Sequence, residues 1–125
     1  MLDCIIYCTG QISLQELRIR LAALSGTKNI EVSFIENGFY ELSVYNNDAF
    51  NLITQKDFPD GFMNFKFIVE VGFNSDSKID QAVAVVSKLL KWLWEIKMPA
   101  VASCDYEDLL PENGGYNSTA IPWLN

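Results

Sequence analysis

Histidine is absent from this 125-residue chain, and its absence excludes more chemistry than any other feature of the composition. With it go the commonest general base, the Ser-His and Cys-His nucleophile pairs and the usual transition-metal ligand. Neither a G-x-G-x-x-G nor a P-loop pattern occurs. Gly114-Gly115 is too short to cradle a phosphate and opens no predicted helix. No cofactor and no metal are expected. Long apolar runs are missing as well: none approaches the roughly 20 residues that span a bilayer. The start, Met1-Leu2-Asp3-Cys4-Ile5-Ile6, has neither the basic stretch nor the small-residue cleavage pattern of a secretory signal. The expectation is a cytoplasmic protein with no membrane association.

Basic residues are scarce. Nine Lys and Arg stand against 16 Asp and Glu, for a net charge of −7, and no Lys/Arg cluster offsets it. Such a surface repels phosphate backbones, so a nucleic-acid partner is not expected. It suits a protein partner with a basic surface, because opposite charge raises the encounter rate and suppresses wrong partners. Cysteine is sparse and odd in number: Cys4, Cys8 and Cys104 match neither a disulfide framework nor a zinc spacing. Cys4 and Cys8 share one face of a strand, which reads as buried free thiols in a reducing compartment.

What is present is a core-forming chain, half hydrophobic, of a length that suits one domain spanning 1–125. Cys4 to Thr9 reads as a buried strand broken by Gly10. Ser13-Leu14-Gln15-Glu16 has the form of a capping box, and Leu14, Leu17, Leu21 and Leu24 repeat with helical spacing up to Gly26. This predicts a helix over 13–25. Ile30, Val32 and Phe34 alternate with polar residues, Asn37-Gly38 is a hairpin signal, and Phe39 to Tyr45 returns with Tyr40, Leu42 and Val44 on one side. Residues 48–61 end in the turn Phe58-Pro59-Asp60-Gly61. Phe62 to Phe73 reads as one long strand with Met63, Phe65, Phe67, Val69 and Val71 inward. Asn74 to Ser77 is expected to cap a second helix over 77–97, stopped by Pro99, and Ala100 to Cys104 to form a last strand.

The order is β-α-β-β-β-α-β. Right-handed crossovers would place both helices on one face of the sheet. The expected fold is therefore α+β, a two-layer ferredoxin-like sandwich with a mixed sheet, whose other face carries Ser33, Glu41, Ser43 and Lys66. Residues 105–125 form a C-terminal loop or tail packed on the domain.

The densest polar group is Asp105-Tyr106-Glu107-Asp108, followed by Glu112 and Tyr116. Its carboxylates suit the surface of a basic partner. Tyrosines flanked by charge suit anchoring, since they bury a rigid area and keep a polar tip. Tyr106 and Tyr116 are the expected anchors. On the second helix, Ile79, Ala82, Val83, Val86, Leu90 and Leu93 make the core stripe, while Val85, Leu89, Trp92 and Ile96 lie beyond it. That second stripe needs a cover: Ile121 to Leu124 of the tail, or a partner or homodimer touching Trp92. The partner-binding set is thus Asp105, Tyr106, Glu107, Asp108, Glu112, Tyr116 and Trp92. The alternatives are a carboxylate- or metal-dependent hydrolase using Asp105, Glu107, Asp108 and Glu112, and a small-ligand domain with a cavity between sheet and helices.

The segment from Pro99 to Pro111 with Gly114-Gly115-Tyr116, on this order of elements, resembles small bacterial immunity proteins of the polymorphic-toxin kind. The resemblance implies a non-catalytic cytoplasmic protein that neutralises one cognate toxin by covering its active site.

Overall fold

The computed structural model describes residues 2–26, 34–36, 39–56 and 61–116. They form an α+β fold: β1 (Cys4–Cys8), α1 (Leu14–Leu24), β2 (Phe34–Glu36), β3 (Tyr40–Asn46), β4 (Phe67–Phe73), α2 (Ile79–Glu95) and β5 (Ala100–Ser103). The strands make one open sheet in the order β2-β3-β4-β1-β5, and every pairing is antiparallel. The expected mixed sheet is therefore corrected. β4 and β5 do run the same way, as a crossover through α2 requires, but β1 lies between them and runs against both.

Local chemistry explains the ends of α1. The Ser13 hydroxyl accepts from the Glu16 amide at 3.0 Å, closing an orphan donor of the first turn. The carboxylate half of the expected capping box is used otherwise: Glu16 accepts from Arg20 Nε at 3.0 Å, one turn on. Gly26, at φ 80°, takes the left-handed position beyond the helix. α2 starts two residues later than expected, at Ile79, where Gln81 Oε1 accepts the Lys78 amide at 2.9 Å. Ile79 is 44% exposed, so the core stripe of α2 begins at Ala82.

The core follows strand parity. Cys4, Ile6 and Cys8, with Leu42, Val44, Phe67, Val69, Val71, Ala100 and Ala102, join Leu17, Leu21 and Ala22 of α1 and Ala82, Val86, Leu89, Leu90 and Leu93 of α2 in one buried cluster. Val85, Trp92 and Ile96 pack half-buried against that cluster, and Leu89 is buried in it. Trp94 Nε1 donates to the Ala100 carbonyl at 3.1 Å, tying the end of α2 to β5. The proposed lid, 121–124, lies outside the described residues, as do the Asn37-Gly38 turn, Ser33 and most of the 58–61 turn.

The long strand expected over 62–73 is shorter. Gly61–Asn64 is a 3₁₀ turn and β4 begins at Phe67, leaving Met63 half-exposed at 52%. Asn47 is the cause. Its backbone amide donates to the Lys66 carbonyl at 2.9 Å, the last step of the β3–β4 pairing, and beyond that its Nδ2 donates to the carbonyls of Met63 and Phe65, both at 2.8 Å. Carbonyls used this way are taken out of a strand ladder. A second 3₁₀ turn, Thr54–Lys56, lies against this one and is tied to the end of β1 by the buried Thr9 Oγ1 to Gln55 Oε1 hydrogen bond at 3.0 Å.

Truncating Leu90, which is fully buried, to alanine should cost about 2–5 kcal/mol by urea unfolding. At Gly61 an added Cβ would fall 2.6 Å from the Thr54 carbonyl oxygen and 2.7 Å from that of Gln55. Both are backbone atoms, so Gly61→Ala should destabilise by about 1–3 kcal/mol in the same measurement, whereas substitutions at exposed Lys91 should not.

Candidate functional site

The side of the sheet opposite the main cluster carries the alternate residues. Antiparallel register places them in rows. Ser103, Ile5, Glu70 and Ser43 lie side by side across β5, β1, β4 and β3. Val101, Tyr7, Ile68 and Tyr45 form the next row, and Glu41 faces Gly72 at the other end. Ile5, Tyr7, Ile68 and Tyr45 are half-buried, while Glu41 and Glu70 are exposed. The apolar end of this face is closed by a small second core of Phe62, Phe65 and Val101, with Tyr7 and Tyr116 packed on it. Phe62 meets Tyr7 at 5.4 Å and Tyr116 at 5.0 Å, ring edge to ring face.

The other end is a depression of about 310 Å³ lined by Asp3, Ile5, Glu41, Ser43, Glu70 and Gly72, with Cys4 and Val71 beneath. Small side chains at Ser43 and Gly72 make it concave. A Cβ at Gly72 would sit 3.1 Å from Glu41 Cγ, so the glycine leaves room for that carboxylate arm to lie across the strand. Asp3 is held by the Phe73 amide, which donates to its Oδ1 at 3.2 Å. The Tyr45 hydroxyl donates to Glu70. Three carboxylates thus line a shallow pit to which, among the described residues, no lysine or arginine contributes.

The expected site residues distribute unevenly around this face. Asp105, Asp108 and Glu112 are exposed. Glu107 turns back: its Oε2 accepts the Cys104 amide at 2.8 Å. Tyr116 is half-buried on Phe62. Tyr106, expected as an exposed anchor, is corrected: it is 2% exposed, lies in the main cluster, and its hydroxyl donates to the Leu2 carbonyl at 2.6 Å. It holds the turn in place and does not present it. Trp92 is half-buried on α2 and lines a separate open groove with Leu24, Ala84 and Lys91. The hydrolase reading needs Asp105, Glu107, Asp108 and Glu112 to converge, and among the described residues no three acidic or thiol side chains are grouped to hold a metal ion. For the small-ligand reading there is an open cleft of about 470 Å³ lined by Tyr40, Phe73, Gln81 and Val85.

The turn after β5 carries backbone strain. Glu112 and Asn113 adopt left-handed conformations at φ 54° and 51°, followed by Gly114 at φ 72°. For a residue with a Cβ this costs about 1–2 kcal/mol. Gly114 is required here for space as well, since a Cβ would lie 3.1 Å from the Ala102 carbonyl oxygen.

Burial and neighbouring charge shift the tyrosines. Burial, then the hydrogen bond to Glu70, pushes Tyr45 up to about 12. Burial raises Tyr116, with Glu107's charge adding to it. Tyr106 is raised further, again chiefly by burial. Sequence reasoning had not picked out Asp3, Tyr7, Tyr45 or Glu70. The available signal was period-two parity, which sets Tyr45 beside Glu41 and Ser43 once Leu42 and Val44 are placed inward.

No protein-family model, no curated protein and no solved structure matches this chain. No described helix is long and apolar enough to cross a membrane.

Two outcomes are expected. A folded-state Tyr45 pKa raised above its ordinary 10 means that the neutral phenol is favoured by folding. Its contribution to stability is full below about pH 10 and is lost as pH rises toward about 12. In a spectrophotometric titration, Tyr45→Phe should remove one tyrosine's amplitude from the high-pH step, and Glu70→Gln should move that step to lower pH. Separately, Glu112→Gly should raise stability by up to about 1 kcal/mol by relieving the left-handed strain; a loss of stability would show that the Glu112 side chain is itself held in the turn.

Proposed function

We propose that this chain is a non-catalytic, acidic protein-binding module of the immunity kind, one that neutralises a cognate toxin by covering the toxin's basic active-site surface. The reading includes a cytoplasmic location and a ferredoxin-like arrangement with both helices over the Ile6 and Val69 side of the sheet, which leaves the opposite side free for the partner. The shared burial of α1 and α2 with that side's residues favours it.

What supports the reading most is the composition of the opposite face. Asp3, Glu41 and Glu70 line a pit to which no cationic side chain among the described residues contributes, and beside it lie the half-buried Tyr7, Ile68 and Tyr45. A lysine or arginine side chain of a partner fits such a pit by charge and size. The tyrosines would supply the rigid, partly desolvated area that concentrates binding energy, and rim carboxylates would steer approach. Exposed Asp105, Asp108 and Glu112 extend the negative potential along the turn that Tyr116 fastens to the same side. Trp92, on α2, belongs to a different surface in this reading, one available to a homodimer.

The test is a binding and protection assay with the product of the neighbouring gene. Glu41→Lys with Glu70→Lys should slow association at least tenfold at low salt, with the gap closing as salt screens the charges. Tyr45→Ala should speed dissociation at every salt concentration. Asp105→Ala with Asp108→Ala should show a smaller, salt-dependent loss. If the charge-reversed pair folds by circular dichroism yet binds and protects like the parent, this face is not the interface.

A further inference from the structure

The β1–β5 ladder pairs Ile5 with Ser103 and Ile6 with Ala102. Continued by one residue in the same antiparallel register, it sets Cys4 directly opposite Cys104. Opposed residues of an antiparallel pair have Cα atoms about 4.5–5.5 Å apart, inside the range of about 4.4–6.8 Å that a disulfide accepts. Both thiols are free, both side chains pack on the main cluster, and each is close enough to shift the other's titration.

Their environments differ in the way that a two-cysteine redox pair needs. Cys4 is 2% exposed, inside the main cluster. Cys104 lies at its edge, half-buried and reachable from solvent. The hydrogen bond from Cys4 lowers Cys104 below the ordinary thiol value; burial opposes this, and the Tyr106 amide adds to the lowering. The same contact, with burial, pushes Cys4 strongly upward. One sulfur is therefore the accessible nucleophile, and the other is a protected thiol waiting in contact with it. Cys8 sits four residues further along β1, is fully buried, and is pushed up to about 12 by burial alone.

We propose that Cys104 and Cys4 are a peroxide-responsive pair that closes into an intramolecular disulfide. The Cys104 sulfur attacks one oxygen of hydrogen peroxide. The O–O bond breaks, one water leaves, and the sulfur becomes a sulfenic acid, oxidised by two electrons as the peroxide is reduced. Cys4 sulfur then attacks the sulfenic sulfur; the S–O bond breaks, and the Cys4 proton leaves with the hydroxyl as a second water. One peroxide and two thiols thus give one disulfide and two waters. A dithiol reductant reverses the closure by exchange. The bond fastens the base of the acidic turn to β1, just beyond the Leu2 carbonyl that Tyr106 also reaches.

The experiment treats the full chain with hydrogen peroxide and maps its cysteines by mass spectrometry after alkylation under denaturing conditions. The parent should lose two of its three thiols, yield a linked peptide pair containing Cys4 and Cys104, keep Cys8 alkylatable, and show a higher melting temperature that dithiothreitol erases. Cys4→Ser should instead leave a sulfenic acid on Cys104, trapped by a cyclic 1,3-dione, and Cys104→Ser should leave both remaining thiols unmodified. Three surviving thiols in the parent would overturn the proposal. So would a linkage through Cys8, a dimer joined by Cys104, or over-oxidised Cys104 beside an untouched Cys4. The parent's peptide map decides the matter even if a serine variant fails to fold.

Discussion

Everything in this fold is referred to β1, an interior strand paired on both sides. It runs against β4 and β5, and its residues Cys4, Ile6 and Cys8 lie in the buried cluster while Ile5 and Tyr7 line the other side. A five-residue strand so placed fixes the register of β4 on one side and of β5 on the other. Its own register in turn decides which carboxylates meet. Ile5 sits between Ser103 and Glu70, so a slip of one residue would carry the apolar set to the wet side and scatter the acidic pit. The rest of the chain can vary in length around this strand; the strand cannot vary in phase.

Polar groups do the remaining positioning, each by answering a backbone group that the sheet leaves over. Asn47 takes two carbonyls ahead of β4 and ends the chain's extended run there. Tyr106 reaches the Leu2 carbonyl across nearly the whole sequence and pins the C-terminal turn to the start of β1. Glu107 closes the turn locally on the Cys104 amide. Of these bonds the one to the Phe65 carbonyl is buried and the others are part-buried; a buried group left unsatisfied costs about 1–3 kcal/mol. Their result is that the acidic turn has an anchored base and an exposed rim, with the strain of Glu112 and Asn113 at its far side.

Much of the fold was legible because its signals are local. Ser13 and Gly26 mark α1, the apolar stripe from Ala82 to Leu93 marks α2, and the alternation in Tyr40 to Tyr45 marks β3. What escaped was set by distant partners. Met63 and Phe65 continue the alternation of β4 in sequence, but Asn47, sixteen and eighteen residues away, claims their carbonyls. Tyr106 looks like a surface anchor among its charged neighbours, and only the Leu2 carbonyl, 104 positions away, makes it a core residue. The sheet was expected to be mixed because crossovers make parallel strands; that the parallel pair β4 and β5 would admit β1 between them is a matter of strand order, which no local spacing encodes. The carboxylates of the turn stood out as a cluster in sequence, whereas Asp3, Glu41 and Glu70 come together only through register.

Gly114 brings the backbone of the C-terminal turn close against Ala102 of β5, the strand at one margin of the sheet. A bare margin would offer a row of amides and carbonyls to any extended peptide, and such rows promote both strand-by-strand recruitment and fibril growth. With the turn lying there, that route is obstructed by the chain itself. Recognition on this side of the molecule is left to side-chain shape and charge, which discriminate between partners, instead of to main-chain pairing, which accepts almost any sequence.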